Sequence, residues 1–334
     1  MRDYFRPILQ TGPARPQGAL TLAGGWTWFT HVEVLNRAAA PKVVSATDIP
    51  AEARDALCVP RANVARVPME SPTIMGILNT TPDSFSDGGK FNDLQRASEH
   101  ARALIAAGAD LLDVGGESTR PGAAEVAIDV EIQRTAPVIA ALRAFSDIPI
   151  SIDSRKADVV QAALKAGADL VNDVAAMTFD PKIAPVTAQA DAPICLMHAQ
   201  GDPQTMQDAP HYEDVVLDVY DLLEERISAA MRAGIPQSRI MVDPGIGFGK
   251  TLEHNLALLQ RLSIFHGLGC PILLGVSRKR FIGTLANVTE AEARMPGSVA
   301  VALAGVSHGV QMLRVHDVAE TRQALTLYQA AIGD

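Results

Sequence analysis

The chain has 334 residues, a formal net charge of −9, 48% hydrophobic residues and only 4% aromatic residues. The length suits one α/β barrel with an appendage. The acidic charge argues against a general affinity for nucleic acid, and the few aromatic residues argue against stacking platforms for single strands. Cys58, Cys195 and Cys270 are far apart in the sequence, which favours reduced thiols over a disulfide framework or a zinc site.

Membrane insertion and export are not expected from the sequence. No apolar run reaches the ~18 residues that a membrane span needs. The first residues, MRDYFRP, lack the charged and then apolar layout of a signal peptide. We therefore expect a soluble cytoplasmic protein.

Residues 1–72 differ in composition from the rest and are rich in Pro, Ala and Arg. Within them, residues 26–34 have the β-branched and aromatic content of a strand. We interpret residues 1–72 as an N-terminal extension, either a small appended element or a partly ordered arm, of unknown function. Residues 73–334 form the predicted main domain.

From residue 74 onward, apolar strands alternate with amphipathic helices. The pattern predicts helices at 96–107, 156–166 and 212–232. Gly108 and Gly167 each follow a predicted helix and suit the left-handed position that ends one. The eight predicted strands are 74–78, 111–114, 149–152, 170–172, 194–197, 240–242, 272–276 and 312–315.

Strict alternation of this kind predicts a parallel sheet. Eight repeats in about 260 residues suit a closed (β/α)8 TIM barrel with a short N-terminal appendage better than an open sheet. The alternative, a doubly wound sheet, needs a glycine-rich nucleotide fingerprint after its first strand. Residues 79–89 do not contain one.

The first predicted barrel strand opens into a long polar loop that begins at Asn79. The next helical pattern begins only near Leu94, and connections of this length are usually functional or disordered. In a barrel the active site lies at the carboxyl ends of the strands. This loop is therefore a candidate part of the site.

Polar residues follow nearly every predicted strand and sort into two sets. The first set offers carboxylates, an amide and an ammonium, which suits a flat polar heterocycle with several N–H donors. The second set offers amide, hydroxyl and cationic groups, which suits a phosphate or diphosphate. The amide oxygen of Asn79 is also a suitable Mg²⁺ ligand beside such a phosphate. The first set is Asp153, Asn172, Asp243 and Lys279, and the second is Asn79, Thr119, Arg120, Arg314 and His316.

Five motifs in this order resemble those of the dihydropteroate synthase family, and together they span about residues 74–330. They are residues 77–89 (ILNTTPDSFSDGG), 113–122 (DVGGESTRPG), 243–250 (DPGIGFGK), 277–279 (SRK) and 314–316 (RVH). The resemblance implies that the arylamine of 4-aminobenzoate displaces diphosphate from (7,8-dihydropterin-6-yl)methyl diphosphate, giving 7,8-dihydropteroate for folate synthesis. It also implies a homodimer that sulfonamides inhibit.

The resemblance further implies a role for each residue that matches a motif. The first set would bind the pterin, and the second would bind the diphosphate, with Mg²⁺ at Asn79. Loops 79–93 and 116–129 would close over the amine site. The residues implied around 4-aminobenzoate are Phe85, Thr119, Pro121, Phe248, Ser277 and Lys279.

Two alternatives stay open. A methyltetrahydrofolate-dependent corrinoid methyltransferase shares the pterin barrel but has no need of Arg314, His316 and the SRK motif. A non-catalytic pterin-binding paralogue would keep the fold and lack turnover. An assay of dihydropteroate formation separates both from the main interpretation.

Several polar residues at the strand ends have no assigned role. Asp113 and Glu117 are either ligand contacts or hydrogen-bonding residues of the barrel mouth, and His198 is expected either to be structural or to support the residues that touch the ligand. Asp173 and Asp317 are expected to cap helices. The chain departs from the family pattern at Ser154, Arg155 and Arg280.

Overall fold

The computed structural model describes residues 2–80, 89–118, 123–201 and 206–333, without the side chains of residues 89–92. Short antiparallel sheets form its N-terminal part. β1 (Tyr4–Pro7), β4 (His31–Asn36) and β5 (Ala39–Ser45) form one sheet, and β2 (Leu20–Thr21) pairs with β3 (Trp28–Phe29). Helix α1 (Ala51–Cys58) follows. The strand predicted across residues 26–34 is therefore two strands, interrupted at Thr30, whose carbonyl accepts from Ala46 N.

Eight parallel strands form the centre of the molecule, in the order β11-β10-β9-β8-β7-β6-β13-β12. A parallel bridge between Val242 and Ile272 joins the two ends, and Val242 N donates to Pro271 O at 2.9 Å. The sheet is thus a closed barrel, which confirms the predicted fold. The strands are β6 (Thr73–Asn79), β7 (Leu111–Gly115), β8 (Ile150–Asp153), β9 (Leu170–Asp173), β10 (Ile194–Met197), β11 (Ile240–Asp243), β12 (Leu273–Leu274) and β13 (Met312–Val315).

Each predicted strand is present, and the largest difference is at the seventh. A strand was expected over residues 272–276, but β12 has two residues. The backbone N–H of Ile272 donates to the side chain of Gln311 at 2.9 Å instead of to a strand carbonyl. A side chain thus takes the place of one ladder hydrogen bond, which shortens the strand at its start.

Helices cover the outside of the barrel. They are α2 (Gly89–Ala106), α3 (Ile128–Arg143), α4 (Ala157–Ala166), α5 (Ile183–Gln189), α6 (Val215–Arg232), α7 (Leu252–Gln260), α8 (Arg280–Ala286), α9 (Met295–Ser307) and α10 (Val318–Ile332). The three predicted helices correspond to α2, α4 and α6. Gly108 and Gly167 have φ of 96° and 112°, as their predicted helix-ending role requires. Within the described ranges, every helix is too short or too polar to cross a membrane.

The amino-terminal end of the barrel is closed by apolar packing. Val64, Val67 and Met69 lie against a layer of buried side chains from the barrel strands. This layer consists of Met75, Leu111, Leu170, Cys195, Met241, Leu273 and Met312. The segment before β6 therefore fills the bottom of the barrel and leaves the opposite end, where the strands' carboxyl ends lie, for polar groups.

The N-terminal sheets pack on the outside of the barrel, along α6 and the 3₁₀ helix Leu262–Leu268. Ser263 Oγ donates to Pro7 O at 2.9 Å, and Tyr4 OH lies 2.9 Å from the carboxylate of Asp221 on α6. Trp26 Nε1 donates to Val306 O at the end of α9 at 3.0 Å. Residues 2–59 are thus joined to the barrel by buried and partly buried hydrogen bonds as well as by apolar contacts.

Candidate active site

One arginine joins two carboxylates at the carboxyl end of the barrel. Arg314 of β13 places Nε 2.6 Å from Asp113 Oδ2 and Nη2 2.7 Å from Asp153 Oδ2. Asn172 of β9 donates its amide N–H to the same Asp113 oxygen at 3.2 Å. Alternate strand residues point to one side, so β7, β8, β9 and β13 direct these four side chains into the barrel mouth.

The electrostatics of this group depend on its burial. Burial raises the pKa of Asp153 to about 7, against the opposing effect of the Arg314 guanidinium. Burial works to lower the pKa of Arg314, but the carboxylates of Asp113 and Asp153 more than offset it and the pKa is raised. Arg314 is therefore charged at neutral pH, whereas Asp153 changes its protonation state close to neutral pH.

Two carboxylate oxygens of the group are free to accept hydrogen bonds from a ligand. Asp113 Oδ1 and Asp153 Oδ1 are both buried and have no hydrogen-bond partner among the residues that the structure describes. A buried acceptor without a partner costs free energy. A flat molecule that presents N–H donors to these oxygens would remove that cost.

A second pair of charges lies on the neighbouring strands. Asp243 ends β11, and its Oδ1 accepts the N–H of Gly245 at 2.7 Å. Lys279, which follows β12, donates to Ile246 O and lies with Nζ 4.5 Å from the centroid of the Phe248 ring. Burial raises the pKa of Asp243 and lowers that of Lys279 to about 8, and in each case the other group opposes the shift. These residues form a mixed donor and acceptor wall beside an aromatic face.

Ser277 and His316 meet across β12 and β13. The Ser277 hydroxyl lies 2.9 Å from His316 Nδ1 and accepts the His316 backbone N–H at 3.2 Å. Between Ser277 and Lys279, Arg278 has a φ of 58°, which is unfavourable for a residue with a side chain. Its guanidinium is fixed by Asp317, with Nε 3.0 Å from Oδ2. The Arg278–Asp317 pair thus holds the turn that presents Ser277 and Lys279 together.

Asn79 ends β6 on the same side of the barrel. A Cβ atom placed on Gly115 would lie 3.7 Å from both Asn79 Oδ1 and Asp153 Oδ2, so the two side chains flank one glycine. Within the described ranges, no group of three His, Cys, Asp or Glu residues could hold a metal ion. A Mg²⁺ at Asn79 would therefore depend mainly on oxygens of the substrate and of water, which is the usual manner for this ion.

The structure brings together most of the predicted site residues that it describes. Asp153, Asn172 and Arg314 share hydrogen bonds through Asp113, Lys279 contacts Phe248, and Ser277 contacts His316. The predicted residues that lie outside the described ranges are Phe85, Thr119, Arg120 and Pro121.

The sequence did not predict a buried ionic cluster behind the mouth. Lys156 Nζ lies 2.5 Å from Glu117 Oε2 and 2.8 Å from Glu131 Oε2, and Arg155 Nε lies 3.1 Å from Glu117 Oε1. Ser154 donates to Glu131 at 2.7 Å. The family departures Ser154 and Arg155 therefore serve this cluster, which no spacing in the sequence indicates.

Asp173 and Asp317 have different roles. Asp173 accepts the N–H groups of Ala175 and Met177, at 2.8 Å and 2.6 Å, and shapes the turn after β9. Asp317 precedes α10 but makes no side-chain cap; it binds Arg278 instead.

Asp113 is the residue whose role the sequence left open and whose position is most informative. An acidic residue in an otherwise apolar buried strand is a signal that could have been used.

The chain resembles known proteins in sequence and in structure. The family model described as "Pterin binding enzyme" matches residues 75–316. Dihydropteroate synthase of Escherichia coli K12 is 46% identical over 265 residues, which cover 79% of this chain and 93% of that protein.

Two solved structures of dihydropteroate synthases share the fold. The Xanthomonas albilineans enzyme with 4-aminobenzoic acid has a TM-score of 0.77 and 46% identity, covering 82% of this chain and 99% of that one. The Yersinia pestis enzyme with a sulfonamide drug complex has a TM-score of 0.76 and 43% identity, covering 80% and 97%. This chain belongs to the pterin-binding enzyme family and, within it, to the dihydropteroate synthases.

Proposed function

We propose that the chain transfers the dihydropterin-6-ylmethyl group from (7,8-dihydropterin-6-yl)methyl diphosphate to the amine of 4-aminobenzoate. The C–O bond to diphosphate breaks, a C–N bond forms, and the amine loses one proton. The observation that carries this proposal is the group of Asp113, Asp153, Asn172 and Arg314, whose two free carboxylate oxygens match the N–H edge of a pterin.

We assign the pterin to Asp153, Asn172, Asp243 and Lys279, with Asp113 as an additional contact. A carboxylate can accept two adjacent N–H groups, and Asn172 can both donate and accept. Lys279 is an ammonium donor beside Asp243, at the edge where a ring nitrogen or carbonyl would lie. These residues give the ring its orientation.

We assign the diphosphate to Asn79, Thr119, Arg120, Arg314 and His316. Arg314 is shared between the two sets, because its guanidinium contacts the carboxylates of the pterin site while its side chain remains 21% exposed. Mg²⁺ held at Asn79 would supply positive charge to the leaving diphosphate. The cationic side chains would stabilise the same charge as it develops.

We assign the 4-aminobenzoate to Phe248, Ser277 and Lys279, together with Phe85, Thr119 and Pro121. The Phe248 ring offers an apolar face, and Ser277 and Lys279 offer polar groups for the carboxylate. Sulfonamides would occupy the same place, since a sulfonamide drug is bound by the Yersinia pestis enzyme.

An SN1-like path suits these groups, because an electron-rich dihydropterin can spread the positive charge of the departing methylene. In that case the wild-type protein releases some diphosphate without 4-aminobenzoate. A strict requirement for 4-aminobenzoate in diphosphate release would contradict this path.

The proposal is tested by mixing the pterin diphosphate, 4-aminobenzoate and Mg²⁺ with the protein and following diphosphate release. We expect turnover by the parent and almost none by Lys279→Ala. Lys165→Ala, which removes an exposed lysine of α4, is the matched control and should behave like the parent. Undiminished turnover by Lys279→Ala would remove that residue from the site. Binding of pterin without any turnover by the parent would favour a non-catalytic paralogue.

We also propose a homodimer and a cytoplasmic location. Leu327 of α10 is 65% exposed, and α10 packs beside α9, which exposes Ala300 and Ala304. An exposed apolar surface of this kind suits a second copy of the chain. Light scattering should give twice the chain mass, and Leu327→Glu should lower it. The free thiols of Cys58, Cys195 and Cys270 suit a reducing compartment.

A further inference from the structure

The segment between β11 and α7 carries the predicted site residue Phe248 but has almost no regular structure. It begins at Asp243, contains Phe248 and ends at Lys250. Gly245, Gly247 and Gly249 all have positive φ, of 68°, 86° and 59°. Such a backbone has many alternative conformations open to it. Side-chain contacts must therefore select the conformation that presents Phe248 to the mouth.

Lys250 supplies the central contacts. Its Nζ lies 2.8 Å from Gly245 O, 2.9 Å from Phe248 O and 2.9 Å from His198 Nδ1. The residue is only 3% exposed. As an ammonium, Lys250 donates to all three of these atoms, so none of its buried N–H groups is left without a partner. Burial lowers the pKa of Lys250 well below its ordinary value, and the Asp243 carboxylate opposes that effect.

His198 completes this arrangement from the neighbouring strand. With the Lys250 ammonium as the donor, His198 Nδ1 accepts, and the ring is neutral with its proton on Nε2. Burial and the nearby Lys250 charge lower the pKa of His198 well below its ordinary value, which favours that form. The backbone is equally close: a Cβ atom on Gly245 would lie 1.8 Å from His198 O. The end of β10 and the loop are thus in direct contact.

Other contacts hold the remaining peptide groups of the loop. Tyr212 OH donates to Gly249 O at 2.7 Å, and Asn255 Oδ1 accepts the Gly247 N–H at 2.6 Å. Lys279 donates to Ile246 O. Among the residues that the structure describes, Lys250 alone joins two carbonyls of the loop to each other and to the residue that follows β10. Its removal would free both ends of the segment that carries Phe248.

We propose that Lys250 and His198 are positioning residues for the condensation, which fix the 243–250 loop so that Phe248 and Lys279 receive the arylamine beside the pterin held by Asp243. Neither residue touches substrate in this account. The proposal rests on the proposed function, because the loop matters only if the arylamine binds against it.

The test compares two pairs of variants in steady-state kinetics and in binding. Lys250→Met removes the three donors while keeping the length of the side chain. His198→Leu removes the acceptor, whereas His198→Asn offers an amide oxygen near the position of Nδ1. Thr73→Val is the control, because it removes a buried hydrogen bond to Gln311 O at the opposite end of the barrel. All are measured well below their own melting temperatures.

We expect Lys250→Met and His198→Leu to raise the KM for 4-aminobenzoate and the sulfonamide Kd about tenfold or more, since small misplacements in a site are costly. The pterin Kd should change less than the KM for 4-aminobenzoate, because Asp153, Asn172 and Arg314 are on other strands, although Asp243 and Lys279 do contact the loop. His198→Asn should stay within about threefold of the parent in all constants.

Two outcomes would overturn the proposal. One is a Lys250→Met or His198→Leu variant that melts at a lower temperature but keeps the parent's KM for 4-aminobenzoate and sulfonamide Kd. That is the behaviour expected of the control, Thr73→Val. The other is an equal loss in His198→Asn and His198→Leu, which would show that the acceptor is not what matters. Failure of the proposed function itself is seen separately, as absence of turnover in the parent.

Discussion

Arg314 Nη2 lies 2.7 Å from Asp153 Oδ2, so a cation assigned to the diphosphate is in direct contact with a carboxylate assigned to the pterin. The same guanidinium contacts Asp113 through Nε. In the proposed assignment the residues for the two halves of the substrate therefore overlap. Arg314 links them, and a change there should affect both.

Replacing Arg314 by methionine should weaken pterin binding by about 100-fold or more. The substitution leaves the Asp113 and Asp153 carboxylates buried without a counter-ion, which costs about 3–5 kcal/mol for a buried pair and favours their protonated forms. Calorimetric titration with the pterin substrate measures the effect. Arg322→Met is the control, because Arg322 pairs with Asp110 on the outer side of the barrel; it should leave the pterin Kd unchanged.

Pterin affinity should fall as the pH is lowered through about 7. The pKa of Asp153 in the free protein is raised to about 7, and a ligand that donates N–H groups binds the ionised form. Below that pH a proton competes with the ligand, and the association constant should decrease by up to tenfold per pH unit. The slope should disappear in Asp153→Asn. A flat profile in the parent between pH 5.5 and 8 would contradict the assignment of Asp153.

The same residue should make folding stability depend on pH. The unfolded chain loses the Asp153 proton near its ordinary pKa of 3.8, whereas the folded protein keeps it to about pH 7. The favourable contribution of Asp153 to the free energy of unfolding is therefore complete below pH 3.8 and is lost as the pH rises to 7. Urea titrations should show that the parent loses stability relative to Asp153→Asn as the pH rises. The free energy of unfolding of the variant minus that of the parent should increase from pH 4 to pH 8.

Lys156→Met should be strongly destabilising, by about 3–5 kcal/mol, because it leaves Glu117 and Glu131 buried without their shared cation. In the parent, burial raises the pKa of Glu117, but the hydrogen bonds from Lys156 and Val126 outweigh it and the pKa is lowered. Urea unfolding near neutral pH measures the loss. Lys182→Met, at an exposed position, should change stability by less than about 0.5 kcal/mol.

Removal of residues 2–59 should destabilise the barrel. These residues cover the 3₁₀ helix Leu262–Leu268, where Leu262, Ile264 and Phe265 are all 0% exposed. We expect a truncated chain to melt at a clearly lower temperature or to aggregate. Arg2→Ala is the control for a surface contact: Arg2 forms an exposed ion pair with Glu224, worth about 1 kcal/mol at most. Equal melting temperatures for the truncated and parent proteins would show that the extension is dispensable.

The barrel could be predicted because its signals are local. Each strand is a short apolar run between helices, and Gly108 and Gly167 mark helix ends by their own conformational freedom. The N-terminal sheets were harder, since β1 pairs with β4 from Tyr4–Leu35 to Pro7–Val32 and no local pattern encodes that register. Thr30 divides a segment that reads as one strand.

The candidate site was predictable by its position at the strand ends but not by its contacts. The fold brings Asp113 and Arg314 together from positions 201 residues apart. Lys250 and Lys156 were missed for a similar reason. Their role depends on carbonyl and carboxylate partners that only the folded chain brings within hydrogen-bonding distance.

The most direct test of the whole account is product identification with ring-labelled ¹³C 4-aminobenzoate, the pterin diphosphate and Mg²⁺. We predict that mass spectrometry detects labelled 7,8-dihydropteroate. The diphosphate released, after subtraction of the amount released without the arylamine, should equal the product formed. Asp153→Asn should give far less product. Absence of the labelled product from the folded parent protein, which nonetheless binds the pterin, would contradict the assignment as a dihydropteroate synthase.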